Sequence, residues 1–383
     1  MVSPLDLGWA DLRLVIDGQS FLDTPRLNLK SKSDAKSFLL SYGYDVDRPE
    51  VREEIWKIYF ESLAFVRDHL LDSGEKIPQE FLGRGPANDI LKLLTMAGSK
   101  TEQGKWSCAL LRVMHIIAHL DNDMRLEIFQ HAREQIFSRL DQHIDQRRSQ
   151  RQKKSFVFNG PQGEIELVRY IKKERKERVS TLMKLLSKPH NVVEEIYDRI
   201  GIRFVTQTRA DCFRLVDALI KVGVVSLPNL QPGRSVNSLL SLETVQRAFE
   251  SAAEAKDRHP QRILSALDQE SPLPMGTVAR NPLSSRWYRA LQFTCRQLVV
   301  APDPTFVFWQ SVKKNLQAAK VSESVFKRIP ITVRESRSFF YPYEIQVMDR
   351  QSYVEAIGGR SRHKEYKSKQ RLMARNRVLR DLV

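Results

Sequence analysis

Cysteine is scarce: Cys108, Cys212 and Cys295 are the only three in 383 residues, and they lie far apart. An odd, sparse count with no CxxC pair excludes a disulfide framework and a zinc ribbon, and points to a reducing, cytoplasmic setting. Long apolar runs are missing too. None approaches the roughly 18 residues needed to cross a bilayer, so no membrane partner is expected. The opening stretch MVSPLDLGWADLRLVIDG carries acids early and no basic segment followed by an apolar one, so no signal peptide is expected either. Internal repeats are absent. Positive charge, in contrast, is abundant: 62 Lys and Arg against 46 Asp and Glu leave a net charge of +16. Such a field favours polyanions (nucleotides, RNA, DNA or acidic membrane surfaces), although charge alone names no particular one and an ordinary basic enzyme is the alternative. Hydrophobic residues make up 42% and charged residues 28%, ordinary for a globular chain whose length suggests two domains.

From about residue 34 to 150 the pattern is helical. VREEIWKIYFESLAFVRDHLLD puts Ile55, Tyr59, Leu63, Val66 and Leu70 on one stripe. KWSCALLRVMHIIAHL is apolar almost all round, as a buried helix would be. MRLEIFQHAREQIFSRLDQHI puts Leu126, Phe129, Phe137, Leu140 and Ile144 on one side. These segments predict an all-α domain over residues 1–150. The run RRSQRQKK at 147–154 is expected to be a solvated helix end or linker. FVFNGPQGEIELVRYI then predicts a short strand or loop, a turn and a helix start.

Over 151–359 the texture changes. KKERKERVSTLMKLLSK predicts a basic helix, IGIRFVTQT a strand, and ADCFRLVDALIKVG an amphipathic helix stopped by glycine. RWYRALQFTCRQLVV and FFYPYEIQVMD alternate as strands do. This order predicts a mixed α+β or α/β domain: a sheet flanked by helices, with an insertion at about 229–280. The tail, 360–383, is expected to be a basic C-terminal helix.

Four stretches carry candidate chemistry. Lys176, Arg178, Lys184 and Lys188 recur near helical spacing, and clustered cations suit a triphosphate; a solvated helix face is the alternative. Asp198 stands at the entrance to a strand, where a carboxylate can hold Mg²⁺ beside phosphates, or simply cap a turn; Arg203 follows on that strand. Tyr288 lies between Arg286 and Arg289, an arrangement that can stack a base while a cation meets a phosphate, or else pack in the sheet. In YPYEIQVMD, Glu344 and Gln346 share one face of a strand while Ile345 and Val347 take the other. Two buried polar groups pointing the same way are costly unless they meet a ligand, metal or partner. Two carboxylates, several cations and a stacking ring together suit phosphoryl transfer.

In this order the stretches resemble the alarmone (ppGpp) synthetase domain of the RelA/SpoT family, the bacterial stringent-response enzymes. Ser180 and Lys184, with Lys176 upstream, match its basic-helix motif. Tyr197, Asp198, Gly201, Ile202 and Arg203 match its Tyr-Asp and strand motif. Tyr288, Arg289 and Leu291, then Glu344, Gln346 and Val347, then His363, Tyr366 and Lys367 match the remaining three. The match covers about half the chain. It departs at Glu174, where the family has Arg, at Ala290 and Gln292, where it has Ser and His, and at Met348-Asp349, where it has Arg-Thr. The resemblance implies a nucleotidyltransferase-like fold that moves pyrophosphate from ATP to a guanine nucleotide or an RNA hydroxyl. It implies Mg²⁺ on the catalytic Asp198, a Glu344 that binds metal or activates the acceptor hydroxyl, the acceptor base on Tyr288, and contacts to ATP or its phosphates from Lys176, Lys184 and Arg203. Arg178, Arg286, Arg289, Gln346, His363 and Lys367 complete the expected nucleotide-binding set, and basic segments suggest a further RNA or ribosome contact.

In the long enzymes of that family a His-Asp hydrolase domain precedes the synthetase. Here MHIIAHLDND supplies His115, His119 and Asp121, but no adjacent His-Asp pair, so local hydrogen bonding is expected rather than a metal or a hydrolase. A catalytically inactive nucleotide or RNA regulator on the same fold is the alternative to an enzyme. A DNA-binding protein ranks last, since no helix-turn-helix is evident.

Overall fold

The computed structural model describes residues 16, 20–23, 27, 29–83, 89–148, 154–173, 177–188, 196, 198–254, 265–270, 288–321, 334–358 and 363–382. In chain order its helices and strands begin with α1 (Lys32–Tyr42), α2 (Pro49–Phe65), α3 (Ile90–Met96), α4 (Glu102–Asp121) and α5 (Phe129–Asp141). Then come β1 (Ile144–Arg148), β2 (Lys154–Gly160), β3 (Gly163–Lys173), α6 (Arg178–Ser187), β4 (Gly201–Thr206) and α7 (Arg209–Lys221). The chain continues through β5 (Val236–Asn237), α8 (Leu242–Glu254), β6 (Leu291–Pro302), α9 (Pro304–Ala318), β7 (Ser336–Asp349), α10 (Arg350–Gly358) and α11 (His363–Val378). No described helix is long and apolar enough to cross a membrane.

The contacts divide the chain into a helical unit (1–123, 176–196 and 363–383) and a sheet unit (124–175 and 197–362). In the helical unit, α1 starts at a capping box in which Ser31 and Asp34 satisfy each other's backbone N–H groups. All five residues of the first stripe, Ile55, Tyr59 and Leu63 on α2 and Val66 and Leu70 in the π-helical turn that follows it, are buried, and so is most of α4. Leu182, Leu185 and Leu186 of α6 and Ala374 and Val378 of α11 join the same core. The C-terminal helix is stitched in by cations: Arg371 binds Asp72, Arg377 binds Asp23, and Arg112 donates to the Val378 carbonyl.

The sheet unit holds seven strands in the order β1-β2-β3-β4-β7-β6-β5, antiparallel throughout except for the central β4–β7 pair, which is parallel. The architecture is therefore a mixed α+β one with helices ahead of the sheet. Alternation along β4, β6 and β7 sends Ile202, Phe204, Phe293, Cys295, Tyr343, Ile345 and Val347 to one face. There they pack with Phe129 and Ile136 of α5 and with Cys212, Leu215 and Leu219 of α7. Each large apolar side chain buried this way contributes about 1.5–3 kcal/mol. Helix α7 stops at Gly223, whose φ of +75° suits glycine.

Three expectations change. The helix start after the Gly-Pro turn is a strand instead: Gly160 pairs with Gly163 across a tight turn, and β3 runs on through VRYIKK. Gly163 has φ +108°, which the turn requires and most residues resist. Arg147, Arg148 and Lys154 of the expected linker lie in paired strands, because β2 gives β1 a partner. Of the third helical stripe, Phe129, Phe137 and Leu140 are buried, but Leu126 is exposed and Ile144 opens β1.

Candidate functional site

The face of the sheet opposite α7 carries the polar side chains. Strand register arranges them in rows. Lys173 of β3, Gly201 of β4, Glu344 of β7 and Thr294 of β6 are successive partners across four strands. Ile171, Arg203, Gln346 and Gln292 form the next row. A third patch is apolar, with Val205, Ala290 and Met348 packed against Tyr288 and Tyr353.

Within the two polar rows the side chains form one hydrogen-bonded relay. The Nε and Nη2 groups of Arg203 donate to Gln346 Oε1 at 3.0 and 2.8 Å. Because that oxygen faces the guanidinium, the Gln346 amide nitrogen faces the other way and donates to Glu344 Oε2 at 2.6 Å. Gln292 Nε2 donates to Glu344 Oε1, also at 2.6 Å. Glu344 and Gln346 are each only 8% exposed, so their polar atoms depend on these partners. Tyr288 Oη reaches Gln346 Oε1 at 3.4 Å. Burial raises the Tyr288 phenol pKa; the Arg203 charge opposes that shift and the Glu344 charge adds to it. The Tyr288 ring is thus anchored at its hydroxyl and packed along the apolar patch.

Asp198 is placed by the backbone. The Glu344 N–H donates to the Ile200 carbonyl at 2.9 Å, and Gly201 is in register with Glu344. Asp198 therefore enters β4 at the Glu344 end of the parallel pair. Arg289 donates to the Ser238 carbonyl at 3.2 Å; burial and then the Arg209 charge lower its pKa.

Several other expected residues belong to the helical unit. Arg178 and Lys184 sit on α6 in the helical unit, as does Lys367 on α11. Arg178 is held there by two carboxylates, Glu61 at 2.5 Å and Asp121 at 2.6 Å, which raise its pKa. Lys176, Arg286 and the side chain of His363 lie outside the described residues. His115 also belongs to the helical unit, where its Nδ1 pairs with Tyr42 Oη at 2.8 Å. Asp121 of the same segment pairs with Arg178.

The relay has one partner that the strand patterns of Glu344 and Gln346 do not disclose, Gln292. Its signal is present in RALQFTCRQ, where Gln292 and Thr294 alternate with Phe293 and Cys295. Among the described residues no group of three or more His, Cys, Asp or Glu side chains could hold a metal. Mg²⁺ asks for less: it is commonly held by one or two carboxylates plus phosphate oxygens and water. Glu344 accepts one amide hydrogen on each oxygen, and an ionised carboxylate is the hard oxygen donor that such a cation takes. Asp198 and Glu344 are oxygen donors of the type that ion takes. No protein-family model matches the chain, and no curated protein matches it.

Proposed function

We propose that the sheet unit is a Mg²⁺-dependent, pyrophosphokinase-like transferase on a nucleotidyltransferase-like fold, moving pyrophosphate from ATP to a guanine nucleotide or an RNA hydroxyl. The observation that carries this reading is the Arg203–Gln346–Glu344–Gln292 relay, a buried carboxylate held by two amides on the polar face of a central parallel strand pair. Asp198 at the same strand end supplies the second acid. When bound, Mg²⁺ would neutralise phosphate charge between these carboxylates. Glu344 accepts the amides of Gln346 and Gln292, and its carboxylate is the group that would take the proton of an attacking hydroxyl. Arg203 keeps the Gln346 amide turned toward Glu344, and Tyr288 closes the apolar side. The net charge of +16 fits anionic substrates.

A second reading, a catalytically silent nucleotide or RNA regulator, is favoured by Gln292, which binds the carboxylate where the resembled family places histidine; an amide cannot shuttle a proton as imidazole does. Incubation with Mg²⁺, ATP labelled in its terminal phosphates, and GDP, GTP, GMP or tRNA decides between them. Label appearing in one acceptor, and lost with EDTA, supports the enzyme. Nucleotide or RNA binding without any transfer rejects it in favour of the regulator.

A further inference from the structure

We infer that Lys173 is a phosphate-anchoring residue of this site, its stem carried across strand β4 by the missing side chain of Gly201; the inference rests on the nucleotide reading above. Two independent observations support it. The first is register: Lys173 pairs with Gly201, and Gly201 pairs with Glu344, so the lysine lies in the row of the relay carboxylate, on the same face. The second is the path of the stem. A Cβ built on Gly201 would stand 3.7 Å from Lys173 Cβ and Cγ but only 3.1 Å from Cδ. The stem closes on β4 as it runs outward, inclining over the glycine. Any larger residue at 201 would contest that path.

The lysine is exposed, so its head reaches solvent while its stem lies on the sheet. An ammonium on a flexible stem is a compact point charge well suited to phosphate oxygens. The row thus presents a cation on one side of Gly201 and a buried carboxylate on the other. That polarity is what a Mg²⁺-bound polyphosphate requires: the metal toward the acid, an uncompensated phosphate oxygen toward the base. It also places a cation in the sheet unit itself, where Arg178 and Lys184 do not belong. A cross-strand ion pair with no ligand is the competing explanation, and it makes a different prediction.

Affinities of adenosine, AMP, ADP and ATP, the phosphorylated forms with Mg²⁺, are to be measured by titration calorimetry on the full chain, for the wild type, Lys173→Met, Lys173→Arg and Gly201→Ala. Thermal midpoints are recorded for each. The expected result is a loss of roughly ten- to a hundredfold for ATP in Lys173→Met, shrinking with each phosphate removed and absent for adenosine. Lys173→Arg retains most of the affinity, and Gly201→Ala loses less than Lys173→Met. ATP affinity in Lys173→Met within twofold of the wild type overturns the role of Lys173 and leaves the nucleotide reading standing. An equal loss for adenosine and ATP together with a lowered midpoint makes the lysine structural and also overturns it. A wild type that binds no nucleotide removes both.

Discussion

Glu344 allows the chemistry of the site to be separated from its stability. Replacing it by alanine strips the acceptor from two amide donors, Gln346 Nε2 and Gln292 Nε2. Gln346 is buried and held in place by Arg203, so its nitrogen has no second partner to turn to. A buried donor left unpaired costs about 1–3 kcal/mol. Gln292 is half-buried and regains some water, which adds about 1 kcal/mol. The expected loss in Glu344→Ala is about 2–4 kcal/mol, a fall of roughly 4–16 °C in the midpoint for a domain of this size. Glu344→Gln behaves differently. Its new carboxamide can turn its oxygen to Gln346 and its NH2 to Gln292, which flips and accepts. Both amide bonds are remade, at a cost of about 0–1 kcal/mol for losing charge assistance. Transfer activity does not follow stability: both variants lose at least ~10²-fold if the carboxylate takes a proton or holds the metal. Calorimetric melting beside the labelled-ATP assay gives both readouts. Glu344→Gln melting as low as Glu344→Ala would refute the flip and hence the amide orientation set by Arg203. Glu344→Gln with full activity would remove the carboxylate from the chemistry.

Other outcomes follow from the helical unit. Arg178→Ala breaks two pairs that are each about one-third exposed, so screening limits the loss to roughly 0.5–1 kcal/mol per pair, with ATP affinity unchanged; a tenfold drop in affinity with normal melting would return Arg178 to the nucleotide site. Burial, followed by the His119 and Arg377 charges, lowers the His115 pKa to about 4. Unfolded, the same group titrates near ~6.5, so the unfolded chain binds the extra proton between these values. Stability from this histidine is therefore complete above pH ~6.5 and is lost as pH falls toward 4, by up to about 3 kcal/mol. Denaturant midpoints of wild type and His115→Gln should converge as pH falls through this window, and a constant difference contradicts the assignment. Deleting 363–383 removes Ala374, Val378 and Leu379 from the helical core along with Arg371 and Arg377. Circular dichroism should then show helix loss beyond the removed segment, and loss confined to that segment would argue that the helical core stands without α11.

How much of this was legible depended on the range of the interaction that decides each feature. The α2 stripe and the buried α4 were readable because helical periodicity is local and both helices follow it. The VRYIKK end of β3 was not, because its charged run after a turn carries no strand signature of its own; pairing with β2 and β4 imposes the strand. The boundary near residue 150 was misleading for the same reason. Helix α6 follows the β2–β3 hairpin in the chain, yet its leucines complete a core built from residues far earlier, Leu22 to Leu120, and far later, Ala374 to Leu379. Arg178 looked like a free cation because its partners, Glu61 and Asp121, are remote in sequence.

Glu344 and Lys173 mark where this kind of reading stops. Period-two alternation tells which face of a strand a side chain takes, and that sufficed to put Glu344 and Gln346 together. It says nothing of which residue on a neighbouring strand stands beside them. That is register, and a one-residue slip would move Gln292 to the far face. The relay exists because β6 meets β7 with Gln292 opposite Gln346, and β4 meets β7 with Arg203 opposite the same residue. Lys173 enters the row through a further pairing, β3 on β4, in which it stands opposite Gly201. A site on the face of a sheet is thus specified twice, once by local alternation and once by pairings remote along the chain. Only the first can be taken from a single strand, so Glu344 was visible and Lys173 was not.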